Sequence, residues 1–89
     1  MANHRTPFRL IRSNGTAVFS ESFTTARDAQ TFVTAHKSES NLMIGDHLFG
    51  IPTELVVGNR FSGRLDESTS RAVLRVGLDG TIHIDHERQ

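Results

Sequence analysis

Eighty-nine residues without one cysteine suffice for one compact unit and are too few for two that each carry a core; disulfides, thiolate chemistry and Cys-ligated zinc are excluded from the start. Ten Lys and Arg balance ten Asp and Glu, so no net field draws in nucleic acid or anionic lipid. An apolar fraction of 36% beside 22% charged residues belongs to a folding chain rather than a disordered one.

Phe8–Arg12 and Thr16–Glu21 are β-rich runs on either side of Ser13-Asn14-Gly15, and Asn-Gly is the strongest short hairpin signal because both residues tolerate positive φ. With Asn14-Gly15 as a two-residue loop, Leu10 opposes Phe19 and Ile11 opposes Val18. Phe8, Leu10, Ala17 and Phe19 then share a core face, and Ile11 and Val18 lie on the other beside Arg9 and Ser20. Thr25 is a natural N-cap for a helix running to Lys37, with Asp28 three residues on to complete a capping box. Ala26, Ala29, Phe32, Val33 and His36 recur on one face at helical spacing.

Ser38-Glu39-Ser40-Asn41 reads as a linker, after which the chain turns apolar at Leu42-Met43-Ile44. Short strands are expected at His47–Ile51 and Glu54–Val57, with Pro52 forcing an edge or a bend between them. Gly58 to Ser70 is a turn-rich connection. Its Gly58…Gly63 spacing is that of a P-loop, but the phosphate-binding Lys and the magnesium-binding hydroxyl are missing. The final hairpin pairs Arg71–Gly77 with Thr81–His86. A three-residue Leu78-Asp79-Gly80 loop, with Gly80 left-handed, matches Val76 with Ile82 and Leu74 with Ile84 and leaves Arg75, His83 and Asp85 outward. The expected fold is therefore a single α+β domain over residues 1–89: an antiparallel sheet of four to six strands with one helix packed on one face, in the order β-β-α-β-(β)-β-β.

No constellation for chemistry stands out. His83-Ile84-Asp85-His86 is the densest cluster of ligand types, but a strand turns His86 away from His83 and Asp85, leaving two ligands where zinc needs three or four. There is no Gly-x-Ser-x-Gly elbow, and Asp46-His47 and Asp85-His86 are the pairings chance produces. Neither enzymatic activity nor a bound metal or cofactor is expected. With no apolar leader and no run near the ~18 apolar residues that cross a bilayer, a cytoplasmic protein away from membranes is expected.

The expected function is that of a non-catalytic protein-binding module, such as a small regulator, accessory subunit or inhibitor of the kind mobile elements carry, whose partner is another protein or a second copy in a homodimer. Two features motivate it: Ile11 and Val18 on the second hairpin face, and the apolar run through Leu42, Met43, Ile44, Leu48 and Phe49, which needs cover. The first alternative is nucleic-acid binding through Arg5, Arg9 and Arg12, with Phe8 or Phe61 stacking on a base; the second is a small enzyme or metal-binding domain.

Overall fold

The computed structural model describes residues 6–88. Strands β1 (Phe8–Arg12), β2 (His47–Pro52), β3 (Ala72–Val76) and β4 (Ile82–Glu87) form one antiparallel sheet in the order β1-β2-β3-β4, and helix α1 (Ala26–Ala35) lies against β3 and β4. The α+β class read from the sequence holds, at the lower end of the expected strand number.

The start of α1 follows from Thr25, which is extended and accepts from the Asp28 N–H at 3.0 Å. The other half of the expected box, a return bond from the Thr25 N–H to the Asp28 side chain, does not form, and the next N–H along has a distant acceptor. The Ala26 N–H donates to Glu87 Oε2 at 2.9 Å, so a carboxylate from the far end of β4 meets the positive helix end. Thr25→Ala leaves the Asp28 N–H without its acceptor and is expected to cost about 1 kcal/mol, read as a lower urea midpoint at unchanged slope. The helix breaks at His36, whose N–H is shared between the Phe32 and Val33 carbonyls. It resumes as the single turn α2 (Lys37–Ser40), which Asn41 ends in the left-handed region at φ 55°. The stretch expected as a linker is thus mostly helical, because Ser40 is buried and its hydroxyl donates to the Lys37 carbonyl.

The core lies between α1 and the sheet, with Phe8, Leu10, Leu48, Ala72 and Leu74 facing Ala26, Ala29 and Val33. The final hairpin has the expected register, Val76 with Ile82 and Leu74 with Ile84. One residue further on it slips: Leu74 pairs with Ile84 and Val73 with His86, so Asp85 is an extra residue in β4. This bulge overturns the expectation that His86 points away from Asp85. Asp85 reaches Arg75 at 2.9 Å and His86 lies 3.8 Å from Glu67.

The first hairpin departs from expectation in two ways. Its loop has three residues, not two: Arg12 N–H donates to Thr16 O, Gly15 N–H donates to Arg12 O, Gly15 has φ 91°, and Ile11 bridges Ala17. The second hairpin repeats this pattern in its Gly77–Thr81 and Gly80–Gly77 bonds, with Gly80 at φ 83°. A one-residue slip exchanges faces, and Val18 accordingly packs against the core under α1 while Ile11 faces the other way. Residues 16–21 also form no regular strand. They touch β1 through the Ala17 bridge and the Val18 N–H to Leu10 O bond, and Phe23 then pairs with Phe8. The outer edge of β1 is occupied by irregular chain.

Ile11 and Ile51 have no exposed surface and Val73 is 3% exposed, although none belongs to the core under α1. They are sealed on the opposite face, where Asn59 accepts from Arg9 and Glu67 approaches His86. Both partners come from the 53–70 excursion. Glu54–Val57, expected as a strand, begins instead as a 3-10 turn at Thr53–Leu55, because Pro52 ends the ladder. Val57 and Arg60 then close a two-residue turn on Gly58 and Asn59, both at positive φ, which is the type I′ geometry. This small hairpin docks on the first one through Ala17 N–H to Asn59 O and Phe61 N–H to Gly15 O, both 2.9 Å.

Candidate functional site

The antiparallel register gathers several connections at one end of the sheet. β1 ends there at Arg12, β2 begins at His47 opposite Arg75, and β3 passes through Val76 to the turn before Ile82. The turns Ser13–Gly15, Met43–Asp46 and Leu78–Gly80 therefore project together. The end of the helical segment joins them: Arg12 donates to the Ser40 carbonyl and Lys37 to the Gly80 carbonyl.

Each turn is held by its own polar atoms. Asn14 Oδ1 accepts from the Thr16 N–H at 3.0 Å, and Asp79 Oδ1 plays the same part for the Thr81 N–H at 3.1 Å. The Thr81 hydroxyl also donates to Asp79, and these hydrogen bonds hold the Asp79 carboxyl below the usual aspartate range. In the middle turn, Asp46 N–H donates to Met43 O, Asp46 Oδ2 accepts from the Met43 N–H, and Gly45 N–H donates to the Val76 carbonyl. With the backbone bound from both sides, the side chains between have nowhere to bury. Met43 is 71% and Ile44 59% exposed, and Leu78 in the neighbouring turn is 90% exposed.

Between the first two turns lies a cavity of about 230 Å³, lined by Arg12, Ser13, Asn14, Asp46 and His47. The His47 ring stacks on Phe49, with centroids 6.2 Å apart. Leu55 and Val57 are exposed as well, but on the excursion at the outer margin beyond β1.

The residues expected to face a partner divide sharply. Met43 and Ile44 do lie at the surface; Phe49 is half-buried and Leu42 packs against the core. Ile11 and Leu48 are 0% and 1% exposed, and Val18 is half-buried. The chain itself covers the second hairpin face. Of the three arginines, Arg5 lies outside the described residues. Arg9 is directed inward, donating to Phe19 O at 2.7 Å and Asn59 Oδ1 at 2.8 Å, while Arg12 points to the opposite side of β1. Phe8 has no exposed surface and Phe61 is half-buried. Arg9 and Arg12 thus do not share one basic surface.

Sequence reasoning missed Leu78, although an apolar residue inside a glycine-closed hairpin loop has nothing opposite it to pack on. It also missed Ser13, Asn14, Asp46 and His47 as a group, which only the β1–β2 pairing brings together. Among the described residues no three His, Asp or Glu side chains converge as metal ligands, and no helix is long and apolar enough to cross a membrane. No protein family, curated protein or solved structure matches the chain.

Proposed function

We propose that this chain is a non-catalytic protein-binding module, a small regulator, accessory subunit or inhibitor, that docks on a protein partner with the turn-bearing end of its sheet. The observation that carries the reading is the exposure of Met43 and Ile44 at 71% and 59% on a turn whose backbone is hydrogen-bonded from both sides. Such side chains can neither fold back nor share in the core, and a pre-ordered apolar tip binds with little loss of conformational freedom. Leu78 widens the apolar surface, and methionine adapts readily to the shape of a partner.

The test is a pair of measurements on Met43→Ser/Ile44→Ser. Its unfolding free energy is expected to stay within about 0.5 kcal/mol of the parent, as for other exposed positions. Affinity for a partner captured from the native cell is expected to fall by about 2 kcal/mol or more, roughly thirtyfold. Light scattering during size exclusion separates a foreign partner from a second copy: a dimer that the double substitution dissolves assigns the surface to self-association. Unchanged partner retention by the variant overturns the reading.

A further inference from the structure

We infer that the cavity beside Met43 and Ile44 receives a carboxylate side chain, so that the partner presents an acidic residue next to an apolar one; this rests on the protein-binding reading and specifies the partner's chemistry. At about 230 Å³ the cavity is smaller than the ~300–1,000 Å³ of sites that enclose whole small molecules. It suits one side chain delivered by a docked surface.

The cavity's unspent groups are mostly donors. Asn14 uses its side-chain carbonyl on the Thr16 N–H, which leaves its NH2 as the free end of the amide. Arg12 is steadied by Nη2 donating to the Ser40 carbonyl, while its Nε and Nη1 bond to no protein acceptor among the described residues. With Nη2 spent in this way, Nε and Nη1 point to different edges of the guanidinium, and the one that faces the cavity gives a carboxylate a charge-assisted N–H bond. The Ser13 hydroxyl and the His47 ring add further capacity.

Asp46 is the one opposing charge, and one of its oxygens is committed to the Met43 N–H. Its presence selects among anions. Arg12 and Asp46 together are neutral, so a single negative charge placed on the Arg12 side can be matched by hydrogen bonds, whereas a phosphate dianion is left uncompensated. A cationic side chain meets the like charge of Arg12, with Asp46, half committed to the Met43 N–H, as the one opposing charge in the lining.

The experiment is an amide NMR titration of the full chain with glutamate blocked as the N-acetyl N-methylamide, whose only carboxylate is the side chain. Blocked lysine and inorganic phosphate are run in parallel. The expected result is a saturable shift at Arg12–Asn14 and Asp46–His47 with blocked glutamate, with a Kd on the order of 1–10 mM for so small a ligand, and none with the other two. Arg12→Gln is expected to weaken binding at least tenfold. Should Arg12→Gln fail to fold, Asn14→Asp serves, because Asp79 already holds the equivalent place in the second hairpin and the change removes the donor while adding a repelling charge. Preferential binding of lysine or phosphate, no saturable shift, or unchanged glutamate binding in Asn14→Asp overturns the proposal. A flat titration alongside Met43/Ile44-dependent partner capture sinks the carboxylate pocket alone. Glutamate binding with no partner retained sinks the protein-binding reading instead.

Discussion

Phe8→Ala is expected to lower the unfolding free energy by about 3–5 kcal/mol. Domains of this size have roughly 4–13 kcal/mol in total, so the variant should sit close to the edge of folding. Phe8 has no exposed surface, its ring stands 6.3 Å from that of Phe23, and the Arg71 guanidinium lies 5.7 Å over it. Its space is defined by an absence in the neighbouring strand. A Cβ on Gly50 would come within 2.7 Å of the Phe8 ring, so β2 carries no side chain where β1 places its largest. The ring is therefore held by backbone on one side and by Phe23 and Arg71 around it, and alanine would leave a void that rigid backbone cannot collapse to fill. Urea denaturation followed by circular dichroism measures the loss. A double-mutant cycle tests its cause: Gly50→Ala alone should cost about 1–3 kcal/mol by overpacking, and combined with Phe8→Leu it should cost less than the sum of the two. Strict additivity would show that the ring and the glycine are not partners.

Gly15→Ala is the second large effect, at about 2–4 kcal/mol from positive φ and steric overlap together. Gly15 has φ 91°, and an added Cβ would lie 2.8 Å from the Phe61 carbonyl oxygen. That oxygen is backbone and cannot swing aside. Relief requires the first hairpin to part from the 57–61 hairpin, breaking the Phe61 N–H to Gly15 O and Ala17 N–H to Asn59 O bonds that join them. Ile11 would then begin to be exposed, and amide exchange should quicken at Ala17 and Phe61 before it quickens in β3. Gly45→Ala is the control. Its φ is 90° and nothing lies within 4 Å of an added Cβ, so it carries the conformational cost alone, about 1–2 kcal/mol. Equal losses at the two positions would refute the steric account.

How far the fold could be read depended on whether local pattern and long-range pairing agreed. In the second hairpin they did: Leu74, Val76, Ile82 and Ile84 form one apolar face only when the loop has three residues, and that face chose the register. In the first hairpin the loop signal stood alone. Asn14-Gly15 located the turn, but Val18 and Phe19 are consecutive residues that both pack against the core, so no alternating pattern existed to reveal the slip. The excursion had even less to offer. Gly58-Asn59 is a turn pair flanked by single residues rather than strands, and its role as a cover over Ile11 and Ile51 depends on partners far along the chain.

The candidate site was half legible. Met43 and Ile44 stood out as apolar residues in an irregular stretch, and the structure leaves them at the surface. Ile11 and Leu48 carried the same apolar signal and are interior, because hydrophobicity alone does not say which side of a sheet another segment will close. The cavity lined by Arg12, Asn14 and His47 was illegible for a different reason. Its walls come from strands whose register pairs Arg12 with Leu48, a match that no motif encodes.

The extra residue in β4 bears on what the molecule can meet in a crowded cell. β4 is the sheet margin opposite the chain that shields β1, and a straight strand there would offer a ready template on which another polypeptide could lay itself down. Asp85 breaks that regular repeat, while Gln30 already occupies the Ile82 carbonyl. Too little uninterrupted backbone remains for a neighbouring copy to zip on and seed a fibre. Encounters are thereby biased toward side-chain contacts and away from ladder extension.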